Sequence, residues 1–249
     1  MAQVEGRNPV IEALKGDRKI KEILMLEGAH GAAIDTIYDL AKQEDVEIKK
    51  VDKGQLNNMA KSHAHQGVIA LAQDLKYWQL DHLVQYAKEK CIAADKEAPF
   101  LVLLDEIKDP HNFGAILRIC DGAGVDGVII PKRRAVGFTP AVAKASAGAI
   151  EHVPVAQVTN LARSIDQLKD KGFWIAGADI SGEQNYFTAD LKGSLGLVIG
   201  SEGTGMRRLV KEKCDFLVKM PMNGKVDSLN ASVAAGILIY DSIRQRMEG

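Results

Sequence analysis

The sequence predicts an α/β protein with a small N-terminal domain followed by a larger one built on a mostly parallel sheet. Three observations predict it. Short apolar runs alternate with helical patterns from Phe100 to the C-terminus, which is the rhythm of β-α-β units. A second, more compact α/β pattern fills Val4 to about Gln73, and a charge-rich stretch with its own helical period separates the two. The 249 residues leave room for two cores.

The elements follow in order. Pro9 to Gly16 spaces its apolar residues as a short amphipathic helix stopped by glycine, and Ile20 to Leu26 is an apolar strand. Ile34, Ile37, Tyr38 and Ala41 share one helical face, Val46 to Val51 alternates like a strand, and Gly67 to Gln73 reads as a last strand. These make a domain over 1–73. Leu80, Leu83, Val84, Ala87 and Cys91 line one face of a linker helix within 74–99. In the domain over 100–249, strands are expected at 100–105, 127–131, 152–158, 173–180, 195–200 and 215–221. Helical patterns fall at 112–124, 139–150, 160–172, 206–214 and 228–247.

Composition excludes several classes. With 32 Lys+Arg against 33 Asp+Glu the net charge is −1, so a nucleic-acid partner must be argued from local sites. No apolar run reaches the roughly 18 residues of a membrane span, and the first residues lack the basic start and apolar stretch of a signal peptide. A cytoplasmic location is expected. Cys91, Cys120 and Cys214 are far apart with no CxxC pairing, which predicts buried thiols and no metal site. His63 and His65 have no third ligand nearby, and His111, tempting as a base, reads as a polar loop residue.

Unusual residues cluster just after three predicted strands, where open parallel sheets bind ligands. The first cluster runs from Asp105 through Asp109, Pro110 and Asn112 to Arg118, with Asp109 and Asn112 both suited to cap a helix. The second follows the 195–200 strand with Gly200, Gly203 and Gly205 around Glu202. Glycines let backbone approach a ligand, but the order is neither a phosphate loop nor a dinucleotide fingerprint. The third passes through Pro221, Asn223 and Gly224 to Ser228, Leu229 and Asn230 at the start of an apolar helix. Asp227 or Ser228 suffices as N-cap, which leaves Asn230 free to read a ligand. Basic residues Lys132, Arg133 and Arg134 follow another strand, and Arg7 with Asn8 is a second candidate for RNA contact.

Together these strings resemble the SpoU branch of the SPOUT RNA methyltransferases. The family motifs are D-x-x-x-D-P-x-N-x-G-x-x-x-R, then an apolar strand with G-x-E-x-x-G, then a proline-led segment ending S-L-N-x-[SA]. All three occur here in family order, between Phe100 and about Arg246. The N-terminal part is similar to the family's substrate-binding domain, an L30e-like fold. The segments around Arg7 to Leu14 and His65 to Ala72 resemble the branch that methylates guanosine 2′-hydroxyls of large-subunit (23S) ribosomal RNA.

The resemblance implies a homodimer whose S-adenosylmethionine sits in a C-terminal trefoil knot, a topology that periodicity alone would never suggest. It carries cofactor contacts onto Ile199, Gly200, Met220, Ser228 and Leu229, and catalytic roles onto Asn112, Arg118, Glu202, Ser228 and Asn230. No metal is implied. Arg118 is expected to be essential, yet a guanidinium is a poor proton acceptor. It is better suited to a flanking phosphate and the developing oxyanion, with Ser228 or water relaying the proton, Asn112 and Asn230 holding geometry, and Glu202 orienting a donor. Two rivals are a transfer-RNA ribose methylase of the same branch and a noncatalytic RNA-binding or ribosome-assembly module. The intact polar set argues against the second. A nucleotide-binding dehydrogenase is disfavoured because no strand leads into G-x-G-x-x-G.

Overall fold

The computed structural model describes residues 2–16, 18–61, 65–94 and 98–248; the expectation for His63 lies outside them. The chain divides into two compact units, one of Met1–Lys76 with Phe138–His152, the other of Tyr77–Gly137 with Val153–Gly249.

The first unit holds β1 (Ala2–Glu5), α1 (Arg7–Lys15), β2 (Ile20–Leu26), α2 (Ala32–Gln43), β3 (Glu47–Val51), α3 (Lys53–Met59) and β4 (Val68–Ala72). Its sheet runs β1-β4-β2-β3, with β4 antiparallel to both neighbours and β2 parallel to β3. Strand alternation builds two faces from one strand. Ile23 and Met25 of β2 pack with Val10, Leu14, Ile34 and Ile37 of α1 and α2. Leu24 between them packs with Ile69 and with Leu56 of α3 on the other side. α3 starts in a capping box, with Asp52 accepting from Gln55 N at 2.9 Å and Gln55 Oε1 from Asp52 N at 3.2 Å. β1 was not foreseen, because only Val4 of its four residues is buried and its sheet partner is far along the chain.

The 139–150 helical pattern also differs from expectation. α6 (Pro140–Ala145) and the 3-10 turn Ala149–Glu151 pack in the first unit, not on the parallel sheet. Thr139 Oγ1 caps α6 by accepting from Val142 N at 3.2 Å. The segment is fastened to α1 and to Arg18: Arg18 Nη1 bonds Glu151 at 2.7 Å and His152 Nε2 meets Glu12 at 2.9 Å. Gly148 has φ +101°, and a Cβ there would stand 2.5 Å from Glu12 Cγ, so glycine permits this close docking.

The second unit holds α4 (Leu80–Ala93), β5 (Phe100–Asp105), α5 (Pro110–Gly122), β6 (Gly127–Pro131), β7 (Val155–Val158), α7 (Leu161–Asp170), β8 (Trp174–Ala178), β9 (Gln184–Asn185), β10 (Leu195–Gly200), α8 (Arg208–Lys213), β11 (Phe216–Lys219) and α9 (Ala231–Glu248). All seven strands pair in parallel, in the order β7-β6-β5-β10-β8-β11-β9. Leu101, Leu103, Ile129, Ile175 and Val198 face α4, α7 and α8, while α5 and α9 pack together on the other face. Leu83, Val84 and Ala87 of α4 are buried in that core, so this helix is an integral layer and not a tether.

The order of strands creates the site. The chain lays β5, β6 and β7 side by side, then crosses over, and β10 returns to fill the place between β5 and β8. Gly200 therefore ends opposite Asp105, and the loops after both strands leave the carboxyl edge as neighbours, where ligands bind in open α/β sheets.

Candidate active site

The first motif leaves β5 at Asp105 and enters α5 at Pro110. Asp109 caps that helix by accepting from His111 N at 3.1 Å, and the proline occupies the first turn, where its missing N–H costs nothing. Asn112, only 7% exposed, is aimed by this cap towards the loop after β10. There its Nδ2 donates to Glu202 Oε1 at 2.7 Å.

Glu202 sits in a tight turn. Ser201 and Gly205 exchange backbone bonds at 3.1 and 2.9 Å, Ser201 Oγ meets Thr204 Oγ1 at 2.7 Å, and Gly203 and Gly205 take φ +77° and +65°. The chain folds back so closely on Gly200 that a Cβ there would lie 2.3 Å from Gly205 C and 2.4 Å from Met206 N. Chain packing alone thus demands that glycine, whatever else the position serves.

The third motif supplies Asn230. Its Nδ2 donates to Asn112 Oδ1 at 3.0 Å and also bonds Glu202 Oε1, which further accepts from Ala231 N at 3.3 Å. Its Oδ1 accepts from Ser232 N at 2.9 Å, Ser232 Oγ at 2.6 Å and Val233 N at 3.3 Å. Asn230 is therefore the cap of α9, which begins at Ala231 and not at Ser228 as the pattern suggested. Its two-ended amide does both jobs, capping with oxygen and bridging the motifs with nitrogen.

Of the five expected catalytic residues, Asn112, Glu202 and Asn230 form one hydrogen-bonded cluster. Ser228 is exposed two residues before it. Arg118 lies six positions after Asn112 on α5, about 9 Å along the axis. It is exposed and pairs with no described residue. Of the expected cofactor residues, Ile199 is buried at the end of β10 beside half-buried Gly200; Met220 and Leu229 are half-buried at the two ends of the loop after β11. Between Pro221 and Leu229 no described main-chain N–H or C=O takes part in an intramolecular hydrogen bond. That loop is a run of open backbone donors and acceptors between apolar side chains, a donor set that fits an adenosine.

A contact absent from the sequence reading holds the two loops together. Asp105, fully buried at the tip of β5, accepts from Arg207 N at 2.8 Å, Arg207 Nε at 2.8 Å and Arg207 Nη2 at 2.7 Å. The signal available was a lone carboxylate closing an apolar strand, which needs a cationic partner. Next to it Glu106, at φ +60°, pairs with Arg134 of the basic loop at 3.2 Å. Burial and nearby Asp215 push the Cys214 thiol up to about 12, and burial raises Cys120 further, so neither is poised as a thiolate.

A family model described as the SpoU rRNA Methylase family matches residues 99–240, and one described as RNA 2′-O ribose methyltransferase substrate binding matches 3–78. The chain belongs to the SpoU methylase family. Among its SpoU relatives, the Bacillus subtilis protein YacO, named for the TrmH family of tRNA/rRNA methyltransferases, is 50% identical over 98% of this chain and 95% of its own. A Staphylococcus haemolyticus protein of the same description is 47% identical over 98% of this chain and 95% of its own. In fold, this SpoU chain is similar to the SpoU methyltransferase AviRb of Streptomyces viridochromogenes, solved in complex with AdoMet, with a TM-score of 0.81 and 24% identity over 99% of this chain and 91% of that one. Among the described residues no helix is long and apolar enough to cross a membrane.

Proposed function

We propose that this SpoU protein methylates a ribose 2′-hydroxyl in RNA, on a guanosine of 23S ribosomal RNA, using S-adenosylmethionine, and that it works as a cytoplasmic homodimer. The observation that carries the reading is the meeting of Asn112, Glu202 and Asn230, brought from three motifs into one hydrogen-bonded cluster at a strand-switch edge. Ile199, Gly200, Met220, Ser228 and Leu229 hold the cofactor in this reading, through the open main chain of the 221–229 loop and the apolar side chains flanking it. The trefoil knot implied by the SPOUT resemblance belongs to the same proposal. When bound, the cofactor supplies a methyl group on a sulfonium, a strong electrophile.

The chain's own residues then have to orient a sugar oxygen and manage its proton. Arg118, exposed and without an ion-pair partner among the described residues, binds the flanking phosphate and the developing oxyanion. Ser228, or a water it holds, relays the proton. Asn112 and Asn230 fix the position of Glu202, whose carboxylate orients a donor on the substrate or on the partner subunit. In solvent a guanidinium stays charged, so Arg118 acts by electrostatics and not as a base.

The test is transfer of labelled methyl from S-adenosylmethionine to ribosomal RNA and transfer RNA isolated from a strain lacking the protein, with mapping of alkali-resistant linkages. Label at a 23S guanosine supports the proposal. Label confined to transfer RNA replaces the substrate, and absence of ribose methylation in every RNA tested leaves only the noncatalytic binding module.

A further inference from the structure

The loop after β11 contains the one Asn-Gly pair of the chain, Asn223 followed by Gly224. We propose that this pair is a site of self-modification: the backbone nitrogen of Gly224 attacks the side-chain amide of Asn223, ammonia leaves, and water opens the resulting cyclic imide to aspartyl and isoaspartyl forms. The loss of cofactor affinity expected from that change rests on the reading of this loop as the S-adenosylmethionine site; the modification itself does not.

The attack needs a free nitrogen, an approachable carbonyl carbon and a backbone able to bring them together. Asn223 and Gly224 are both exposed, and neither the Asn223 side chain nor the Gly224 N–H makes a hydrogen bond with any described residue. Between Pro221 and Leu229 no main-chain bond to a described residue has to break for the two atoms to meet. An N–H left to solvent is free to turn, which one committed to a helix or a sheet is not.

Other asparagines lack these conditions. The nitrogen after Asn112 donates to Asp109 O at 3.1 Å, and the nitrogen after Asn230 donates to Glu202 Oε1 at 3.3 Å. Asn8 is followed by proline, which has no N–H to lose.

Glycine matters at the second position because a side chain there would shield the attacking nitrogen, and this glycine has no structural duty. Gly224 does not take a positive φ, and a Cβ on it would meet nothing within 4 Å. Gly200, by contrast, is demanded by the packing of its turn. The reactivity of the pair can therefore be removed without disturbing the fold.

The step balances within the chain and one water. A bond forms from Gly224 N to Asn223 Cγ as the nitrogen sheds its proton, and the Cγ–Nδ2 bond breaks to release ammonia. Water at the side-chain carbonyl of the imide restores the ordinary backbone with an aspartate. Water at the main-chain carbonyl leaves an isoaspartate, whose backbone runs through the former side chain and is one carbon longer. In a loop that offers its main chain to a ligand, the extra carbon moves the donors and acceptors on either side out of register.

The experiment incubates the full chain in mildly alkaline buffer, digests aliquots with trypsin and follows peptide 220–225 by liquid chromatography with mass spectrometry, which separates the amide from its two products. The peptide should convert progressively, faster at higher pH, with ammonia released in equal amount, while the peptides holding Asn112 and Asn230 stay intact. Gly224→Ala should lose the conversion over the same period. S-adenosylmethionine affinity, read by equilibrium dialysis, should weaken about tenfold in the converted chain, the worth of one or two main-chain hydrogen bonds. Gly224→Ala should keep its own starting affinity throughout. An amide that stays intact in the folded chain under conditions that convert a synthetic 220–225 peptide overturns the proposal, as does conversion of Gly224→Ala at the wild-type rate or a converted chain that binds as tightly as a fresh one. If fresh wild type does not bind S-adenosylmethionine at all, the cofactor reading fails, and the conversion, read by mass alone, still decides the modification.

Discussion

Asn112 donates from Nδ2 to Oε1 of Glu202 at 2.7 Å, across 90 residues of chain, and so fastens the start of α5 to the turn that follows β10. Because β5 and β10 are parallel neighbours ending in register at Asp105 and Gly200, this bond joins the ends of two adjacent strands and gives the cluster a rigid floor. Glu202 accepts two further donors, Asn230 Nδ2 and Ala231 N. One carboxylate oxygen thus collects all three motifs.

Removing that oxygen should be felt in both stability and activity. Glu202→Ala leaves the nearly buried amide of Asn112 without its acceptor, which costs about 1–3 kcal/mol. Denaturant unfolding should show a loss in that range, and methyl transfer should fall about a hundredfold or more as Asn112 and Asn230 lose their common anchor. A variant with wild-type turnover would remove the cluster from the mechanism.

This cluster was legible in the sequence because polar residues that interrupt apolar strand-to-helix passages have few structural uses. Asn230 shows the limit of that logic: the pattern offered Ser228 or Asp227 as cap, whereas the amide both caps α9 and bridges the motifs, a double role that only geometry reveals. Arg207 was invisible for a different reason. It sits in a run that reads as an ordinary surface helix, and its partner Asp105 is 102 residues away. The docking of 138–152 beside α1 was equally hidden, since a helical pattern tells which face is apolar but not which sheet it covers.

Arg118 should separate chemistry from folding. It is exposed and contributes no hydrogen bond or ion pair among the described residues, so Arg118→Ala should change unfolding free energy by no more than about 0.5 kcal/mol. S-adenosylmethionine affinity, measured by equilibrium dialysis, should be unchanged, while transfer to RNA should be abolished. Near-normal turnover would remove this residue from the oxyanion role.

The Asp105–Arg207 clamp should be the costliest polar contact near the site. Asp105 is fully buried and takes three donors from one residue, so Arg207→Ala strands a buried charge that keeps only one backbone donor. A loss of about 3 kcal/mol is expected in denaturant unfolding, at the lower end for a broken buried pair because Arg207 itself is 39% exposed. Arg207→Lys, with one ammonium in place of a two-pronged guanidinium, should recover only part of it.

Asp179 directly follows β8, beside the same loops, and should make stability depend on acid. Burial pushes its carboxyl up, but the bond from Lys211 Nζ at 2.8 Å and those from Ser181 N and Oγ at 2.9 and 2.7 Å outweigh burial and hold it below its ordinary 3.8. A value lowered by folding means that the carboxylate form favours the folded state. The contribution is complete above the unfolded value and disappears as pH falls through the folded one. Asp179→Asn should therefore be less stable than wild type near pH 7, by about 1 kcal/mol given partial screening by solvent. The two unfolding curves should converge as the pH falls below 3.8 and through the lower folded value.

Gly200 carries the strongest steric prediction. Its missing side chain would point at backbone, with Gly205 C at 2.3 Å and Met206 N at 2.4 Å, and main chain in a closed turn has no rotamer to yield. Gly200→Ala must therefore push the 201–206 turn away from β10 or unfold it, at a cost of about 1–3 kcal/mol, the usual range for overpacking. The displacement acts directly on Glu202, so transfer should fall further than stability alone explains. Gly203→Ala is the control: it lies in the same turn with φ +77° but has nothing within 4 Å of the added carbon. It should show only the backbone penalty of about 1 kcal/mol and keep most of the activity. If the two variants lose activity equally, the tight approach at Gly200 is irrelevant to the placement of Glu202.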